Sequence, residues 1–172
     1  MNQKLKEEIA ASVADFKLPR YDEIPDVGLY LEQTAKYISD YLAPLEDITI
    51  TTSMISNYVK KGLIDKPVRK QYSREQIAYL MFIAIAKTVL SMEDIGLLFD
   101  LQKKVYTPKR AYDYCCMEFE NVLFFVFGLK SSLDMVGTDH TDEKEMLRNT
   151  IITVAHKIYL DKYFSRLHGE KL

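Results

Sequence analysis

Apolar residues recur at helical spacing through much of the chain. In the first stretch they lie three or four positions apart, at Leu5, Ile9, Val13 and Phe16. This spacing predicts an amphipathic N-terminal helix that ends before Pro19. A second apolar series, from Val27 to Leu42, predicts another helix, which Pro44 terminates.

The pattern shortens and then changes between residues 49 and 72. Polar and β-branched residues 49–53 precede a narrow apolar stripe that ends at Gly62, which predicts a short third helix. Two brief segments follow, Leu-Ile at 63–64 and Val-Arg-Lys-Gln-Tyr at 68–72, separated by polar residues and a proline. Such short segments joined by a turn predict a small β-hairpin, or wing.

The remaining segments predict four more helices. Ser73 stands three residues before Gln76, a capping box that opens a helix apolar nearly all round. Ser91 caps a shorter helix that continues through Phe99. Beyond Pro108, residues 109–127 and 142–167 predict a helical hairpin. The first of these helices carries four phenylalanines that we expect a partner to cover in part: Phe119, Phe124, Phe125 and Phe127.

Composition excludes several classes of protein. The chain has 172 residues, of which 48% are apolar, and its two cysteines are adjacent at Cys115 and Cys116, so no disulfide scaffold is indicated. Its longest apolar run, 122–129, is too short to cross a bilayer, and residues 1–16 lack the order of a signal peptide. We therefore expect a cytoplasmic protein with no membrane partner.

Charge is unevenly distributed along the chain. Residues 49–74 contain six basic side chains and one acidic side chain, whereas residues 1–48 contain five basic and ten acidic ones. A basic segment between acidic flanks is typical of a localised phosphate-binding surface. The alternative is an ordinary solvated helix face, because basic clusters are common there.

The order of motifs from residue 49 to 99 resembles the winged helix-turn-helix of the MerR family. In that family, a recognition helix with a tyrosine ends in a Gly-Leu-Ile turn, a basic and aromatic wing follows, and the next helix opens with Tyr-Ser. The matching residues are Tyr58, Gly62-Leu63-Ile64, Arg69, Tyr72-Ser73 and the stretch from Leu90 to Ile95. Two features depart from the pattern: the wing lacks its glycine, and Pro108 interrupts any continuous C-terminal coiled coil.

The whole chain is also similar to a bacterial family of this length, of the domain of unknown function 1836 type, described as DNA-binding. Together these resemblances imply a mainly α protein. Its parts are an N-terminal amphipathic helix (1–17), a MerR-like winged helix-turn-helix DNA-binding domain (18–102) and a C-terminal helical hairpin for dimerisation (103–172). They also imply a transcription regulator that binds double-stranded DNA as a homodimer.

Helical periodicity identifies the residues that would contact DNA. If Ile55, Tyr58 and Val59 face inward, a row of polar and basic side chains faces outward. Asparagine can pair with adenine, lysine reaches guanine or phosphate, and serine binds either base or backbone. Tyr72 either packs on a sugar or closes the core. The candidate DNA-binding residues are Thr52, Ser53, Ser56, Asn57, Lys60, Lys61, Arg69, Lys70 and Tyr72.

No catalytic, metal or cofactor site is predicted, and we expect no enzyme activity. The adjacent cysteines would diverge on a helix, and the three histidines have no metal-ligand spacing. Two other functions stay open. One is a ligand-responsive regulator whose C-terminal helices, 109–167, enclose a pocket for a small apolar effector. The other is a protein-interaction module whose basic segment is neutralised by acidic residues 22–26 and does not bind DNA.

Overall fold

The computed structural model describes residues 3–169, so the ends of the predicted segments 1–17 and 103–172 lie outside the described residues. The chain is mainly helical, as predicted, with one two-stranded sheet. Short 3-10 turns cover Tyr21–Glu23 and Ala43–Leu45. The principal elements are α1 (Gln3–Ala11), β1 (Leu29–Tyr30), α2 (Leu31–Leu42), α3 (Thr52–Lys60), β2 (Gln71–Tyr72), α4 (Arg74–Ala86), α5 (Met92–Val105), α6 (Pro108–Val126) and α7 (Asp142–Gly169).

Helix α4 lies at the centre of the fold. Its start is fixed by the predicted capping box: the Ser73 N–H donates to Gln76 Oε1 at 2.9 Å, and Gln76 N–H donates to Ser73 Oγ at 3.3 Å. Every residue from Leu80 to Ala86 is buried, because α4 packs against α2, α6 and α7. The apolar character all round this helix therefore reflects contacts on several sides.

The N-terminal helix is shorter than predicted. Helix α1 ends at Ala11, whereas the prediction extended it to Phe16. Val13 and Phe16 are nonetheless buried, and the Phe16 ring packs edge-on against Phe119 at 5.7 Å between centroids. The apolar spacing identified residues that enter the core, but the last two do so from a turn.

The second helix begins later than predicted because a strand precedes it. Residues Leu29 and Tyr30 pair antiparallel with Tyr72 and Gln71, so helix α2 starts at Leu31 rather than at Val27. Gly28 allows this approach: its φ is +77°, and a Cβ there would lie 3.1 Å from Gln71 Cβ.

The wing also differs from the prediction. The segment 63–64 is not a strand, because the N–H groups of Leu63 and Ile64 point back to the Tyr58 carbonyl and close helix α3. The remaining part of the wing is a tight turn in which Val68 pairs with Gln71. Strand β2 then pairs with β1, which precedes α2 in the chain.

The two long C-terminal helices do not form the predicted hairpin. Lys144 lies over the Tyr114 ring, Arg148 Nε is 3.0 Å from Glu118 Oε1, and the Tyr159 ring meets Phe127. Both helices thus advance in the same direction. The connection, residues 127–141, returns along α6, where the Asn121 side chain bonds the backbone of Asp134. Periodicity predicted two helices but not this parallel arrangement.

The phenylalanine-rich end of α6 is covered mainly by the chain itself. Phe119 and Phe127 are buried, Phe124 is half-buried, and Phe125 has 39% of its surface exposed. The expected partner is therefore not needed to cover most of this aromatic surface. One continuous cluster of buried hydrophobic residues extends from Leu5 to Ile158 in sequence. None of the helices described within residues 3–169 is both long and apolar enough to cross a membrane.

Candidate nucleic-acid interface

Both ends of helix α3 are fixed by local hydrogen bonds. The Thr51 hydroxyl accepts from the Met54 N–H at 3.2 Å and so caps the first turn. At the other end Gly62 adopts φ +75°. Its N–H donates to the Val59 carbonyl, and the Leu63 N–H donates to the Tyr58 carbonyl, the latter at 2.9 Å. These two bonds form a Schellman motif, in which a glycine is favoured by its left-handed conformation. The predicted short helix is thereby confirmed with the predicted end at Gly62.

One face of α3 is anchored in the core. Ile55 and Tyr58 are buried, and Val59 is half-buried beside them. Burial raises the pKa of the Tyr58 hydroxyl, so it stays neutral at physiological pH. Since these side chains hold one face, the helix has a single orientation relative to α2, against which it packs.

The opposite face of α3 carries the predicted polar row. The side chains of Ser53, Ser56, Asn57 and Lys60 are exposed at intervals of three or four residues, which places them along one line of the helix. Lys61 is exposed at the end of the row, and Thr52 is half-buried at its start. The structure therefore brings the six predicted residues of this helix onto one accessible surface.

The tip of the wing is a two-residue turn with an unusual backbone. Arg69 has φ +51° and Lys70 has φ +63°, as in a type I′ turn, which strongly favours asparagine and glycine. An L residue with a β-carbon loses about 1 kcal/mol or more in this left-handed region. Both side chains are exposed. The turn thus presents two cations side by side at a cost in backbone energy.

Tyr72 is a correction to the candidate set. Only 4% of its surface is exposed, because strand β2 directs the ring into the hydrophobic core. Burial also raises the pKa of its hydroxyl. Of the two roles considered for this residue, closing the core is the one that the structure supports.

The cations of this surface have no acidic partner among residues 3–169. No carboxylate within the described part of the chain lies within ion-pair distance of Lys60, Lys61, Lys66, Arg69 or Lys70. Within the described residues, the acidic residues expected to neutralise the segment reach Arg74, its last basic residue, and leave the other five unpaired. Asp22 and Asp26 lie 3.8 and 3.9 Å from Arg74, and Asp22 also pairs with Lys109 at 2.6 Å. We call these five unpaired cations, together with the polar row of α3, the cationic ridge.

An ion pair between a buried lysine and an exposed glutamate, which sequence reasoning missed, fixes the connection that leads into α3. Lys162 of α7 has 1% of its side chain exposed, and its Nζ lies 2.7 Å from Glu46 Oε1. Arg166 contacts the same oxygen at 3.1 Å. Burial opposes ionisation of Glu46, but its bonds to these two cations outweigh that effect and lower the pKa of the carboxyl. Glu46 belongs to the connection between α2 and α3, so α7 holds this connection in place.

Lys87 is a second supporting residue that the sequence did not reveal. Its Nζ donates to the Thr49 carbonyl at 2.5 Å and lies 3.6 Å from Met54 Sδ. Burial lowers the pKa of this lysine. The bond ties the segment before α3 to the end of α4. No local signal marks either support, since their partners lie 38 or more positions apart in sequence.

No arrangement of three or more His, Cys, Asp or Glu side chains suited to a metal ion occurs between residues 3 and 169. Cys115 and Cys116 are buried, and burial raises the pKa of both thiols. The described residues therefore place these cysteines in the core as neutral thiols, as predicted.

The site consists of the exposed face of helix α3, whose two ends are fixed by hydrogen bonds, and of the left-handed turn at Arg69 and Lys70 that follows it in the chain. The protein that carries it is mainly helical. The chain belongs to the family defined by a domain of unknown function, DUF1836, whose family model matches residues 19–115. This region covers more than half of the chain and contains the whole cationic ridge. No curated protein and no solved structure is significantly similar to the chain.

Proposed function

We propose that the chain is a sequence-specific DNA-binding protein, a dimeric transcription regulator whose residues 18–102 act as a MerR-like winged helix-turn-helix. The observation that carries the proposal is the cationic ridge, whose five cations lack acidic partners among the described residues. Isolated exposed cations on an otherwise acidic protein favour an external polyanion. Duplex DNA supplies about one negative charge per 1.7 Å of its axis.

Helix α3 is the proposed recognition helix. Its buried face at Ile55 and Tyr58 fixes it to the fold, so its outer face can enter a major groove as a rigid unit. Asn57 would pair with an adenine edge, while the serines on either side bond bases or backbone. Lys60 and Lys61 would bind guanine edges or phosphates, and Thr52 lies where the free N–H groups of the helix start favour a phosphate.

The wing is proposed to bind the sugar-phosphate backbone beside the groove. Arg69 and Lys70 occupy positions where asparagine and glycine would be more stable. Retaining two cations in a left-handed turn is explained if their charge serves binding. Phosphate contacts of this kind set the orientation of a protein on DNA, while base contacts set its specificity.

A homodimer is part of the proposal. One recognition helix reads too few base pairs to define a unique site in a genome, and two-fold related helices bind half-sites about one helical turn apart. We propose the C-terminal helices for self-association. On α7, Leu160 and Phe164 stand four residues apart with 49% and 52% of their surfaces exposed, an apolar surface suited to a second copy. Light scattering of the full chain would measure its mass in solution, with a dimer as the expected result.

The interaction module that does not bind DNA is less well supported. That alternative needs acidic residues 22–26 to neutralise the basic segment. Within the described residues, Asp22 and Asp26 contact Arg74 and leave the cationic ridge unpaired. A protein surface of this charge would still attract an acidic partner, so the choice depends on a binding experiment.

Selection of bound duplexes from a random DNA pool by the full chain tests the proposal. The expected result is enrichment of a defined motif with two-fold symmetry. Enrichment without symmetry would retain DNA binding and contradict the dimeric arrangement. Recovery of no motif, together with no measurable affinity for duplex DNA at low salt, would overturn the function.

A further inference from the structure

A cavity of about 520 Å³ opens between the α4–α5 pair and the α6–α7 pair. Its volume lies within the range typical of small-molecule sites. One wall is an aromatic cluster: the Tyr79 and Phe99 rings meet edge to face at 4.7 Å between centroids, and Phe82 lies 5.7 Å from Phe99. Such a wall offers both ring edges and ring faces to an aromatic ligand.

The opposite wall comes from the C-terminal helices. Ala111, Cys115 and Met117 of α6 and Leu147 of α7 line it. The sequence suggested an effector pocket enclosed by the C-terminal helices, 109–167, and those helices form one wall of this cavity. The other wall belongs to α4 and α5, and the phenylalanines at the end of α6 are not part of the lining.

Polar groups at the mouth of the cavity are already bonded to one another. The Tyr79 hydroxyl donates to Gln102 Oε1 at 3.0 Å, and Gln102 Nε2 donates to the Tyr106 carbonyl at 2.7 Å. The Tyr106 hydroxyl donates to Asp139, which also pairs with Lys144 at 3.1 Å. The buried Tyr112 hydroxyl also lines the cavity and has no hydrogen-bond partner among the residues described, so a ligand meets one polar group that it could satisfy beside these bonded ones.

The charges around the cavity also balance. Three basic and three acidic side chains line it: Lys109, Arg110 and Lys144 with Asp113, Asp139 and Glu143. Each of the three cations pairs with Asp113 or Asp139, and Glu143 alone lacks an ion pair among residues 3–169. An anionic ligand would therefore lose its hydration without gaining an unpaired cation, which is unfavourable in an apolar site. The arrangement favours an uncharged ligand over an anionic one.

We propose that this cavity binds an uncharged aromatic small molecule and that its occupancy changes the affinity of the cationic ridge for DNA. The second half of this inference rests on the proposed function, whereas the first half does not. The α2–α3 connection is held from both sides of the cavity, since Lys87 at the end of α4 bonds the Thr49 carbonyl and α7 pairs with Glu46. Helix α4 follows the wing directly, and its Gln76 holds the Asp65 carbonyl at 2.9 Å, while α7 holds Glu46.

A ligand between these two groups of helices changes their relative position only if it binds one arrangement better than the other. The connection into α3, which both groups hold, would then shift relative to the wing, which is held by α4. Because thermodynamic coupling is reciprocal, DNA must change the affinity for the ligand by the same factor as the ligand changes the affinity for DNA.

The test uses the full chain and N-phenylnaphthylamine, an uncharged aromatic molecule that fluoresces in apolar sites. We expect saturable binding with one molecule per chain. Anilinonaphthalene sulfonate, which adds an anionic group to a similar ring system, should bind about tenfold more weakly or worse. The variant Ala111→Phe fills the cavity and should abolish binding. The same substitution at exposed Ala11, at the end of α1, should leave binding unchanged.

Circular dichroism verifies that each variant is folded, and Leu147→Trp provides a second way to fill the cavity. Binding that does not saturate would overturn the site. So would Ala111→Phe and Leu147→Trp variants that bind the compound as tightly as the unsubstituted chain does. Equal affinity for the anionic compound would overturn the ligand class. These measurements contain no DNA, so they stand even if the chain fails to bind a duplex.

The regulatory half is measured by fluorescence anisotropy of a labelled duplex with and without saturating N-phenylnaphthylamine. A change of about fivefold or more in the DNA dissociation constant is expected, absent in Ala111→Phe. DNA binding that is unchanged by the saturating compound would overturn the regulation while leaving the DNA-binding function intact.

Discussion

The last two helices and the cationic ridge differ in whether their basic side chains have a carboxylate partner. From α6 to the end of α7 each basic side chain lies within ion-pair distance of a carboxylate, namely Lys109, Arg110, Lys130, Lys144, Arg148, Lys157, Lys162 and Arg166. In the cationic ridge none does within residues 3–169. The two regions have similar residue types, so the difference lies in what surrounds them.

This comparison distinguishes cations that stabilise the fold from cations that remain available to bind a partner. Paired cations hold helices together: Arg148 meets the fully buried Glu118, and Lys162 meets Glu46 across the fold. Unpaired cations at one edge repel each other and contribute nothing to cohesion, so they are retained at a cost in stability. Four sets of substitutions test this comparison.

The largest expected effect is on stability, at the pair of Glu46 with the buried Lys162. Glu46→Gln removes the counter-ion of a lysine whose side chain is 1% exposed. Because the Glu46 side chain is 41% exposed, solvent screens part of the loss, and we expect about 2 kcal/mol rather than the larger cost of a fully buried pair. Chemical denaturation should show this loss in the free energy of unfolding.

Two variants serve as controls for this pair. Lys162→Met removes the buried charge itself, so it should cost less than Glu46→Gln. Lys157→Met breaks an exposed pair and should change stability by about 0.5 kcal/mol or less. Equal losses in all three variants would show that pairing at Lys162 has no special structural role.

The second effect is on DNA affinity, at the end of α3. Lys60→Gln with Lys61→Gln should weaken binding to every duplex by about tenfold or more at low salt. The slope of log affinity against log salt should fall by about 0.9 for each phosphate that the variant no longer binds. Anisotropy titrations at several salt concentrations give both quantities.

The matched control removes the same charge elsewhere. Lys17 and Lys104 are exposed, and neither has an acidic partner in the described chain. Lys17→Gln with Lys104→Gln should leave the salt slope nearly unchanged. If this control weakens binding as much as the α3 variant, net charge rather than the cationic ridge accounts for the affinity.

The third effect is on sequence preference. Asn57→Ala should relax discrimination at one or two base pairs by about 1 to 3 kcal/mol and leave the salt slope unchanged. Asn149→Ala, at an exposed position of α7, is the control. Competition between the selected duplex and single-base variants measures the preference, and an unaltered preference in Asn57→Ala would remove that residue from base recognition.

The smallest effect has opposite signs in two measurements. Arg69→Asn with Lys70→Gly gives the turn its favoured residues, so the free energy of unfolding should rise by about 1 kcal/mol. DNA affinity should fall in the same variant, because two cations are removed. A variant that gains stability without losing affinity would show that the wing tip does not contact DNA.

Local signals predicted helix α3 well. Thr51 as a cap, Gly62 as a terminator and the spacing of Ile55 and Tyr58 together define where α3 begins, ends and faces. Each signal acts within a few residues. The exposed row follows from them, because a helix with one buried face must expose the other.

Features that depend on distant contacts were not predictable in this way. Strand β1 has two residues, too few for an alternating pattern. The local feature that accompanies its pairing with β2 is the left-handed Gly28 before it. Helical periodicity identifies buried faces but carries no information on whether α6 and α7 run in the same direction. The contact of Glu46 with Arg166 spans 120 positions, so nothing local marks it.

That contact has a consequence during synthesis of the chain. The ribosome releases the family-matched region, residues 19–115, well before Lys162 and Arg166 emerge. Until then Glu46, held at a φ of +63°, lacks the cations that neutralise it. A nascent or truncated polypeptide can thus contain every residue of the cationic ridge and still lack the two cations of α7 that fix the connection into α3.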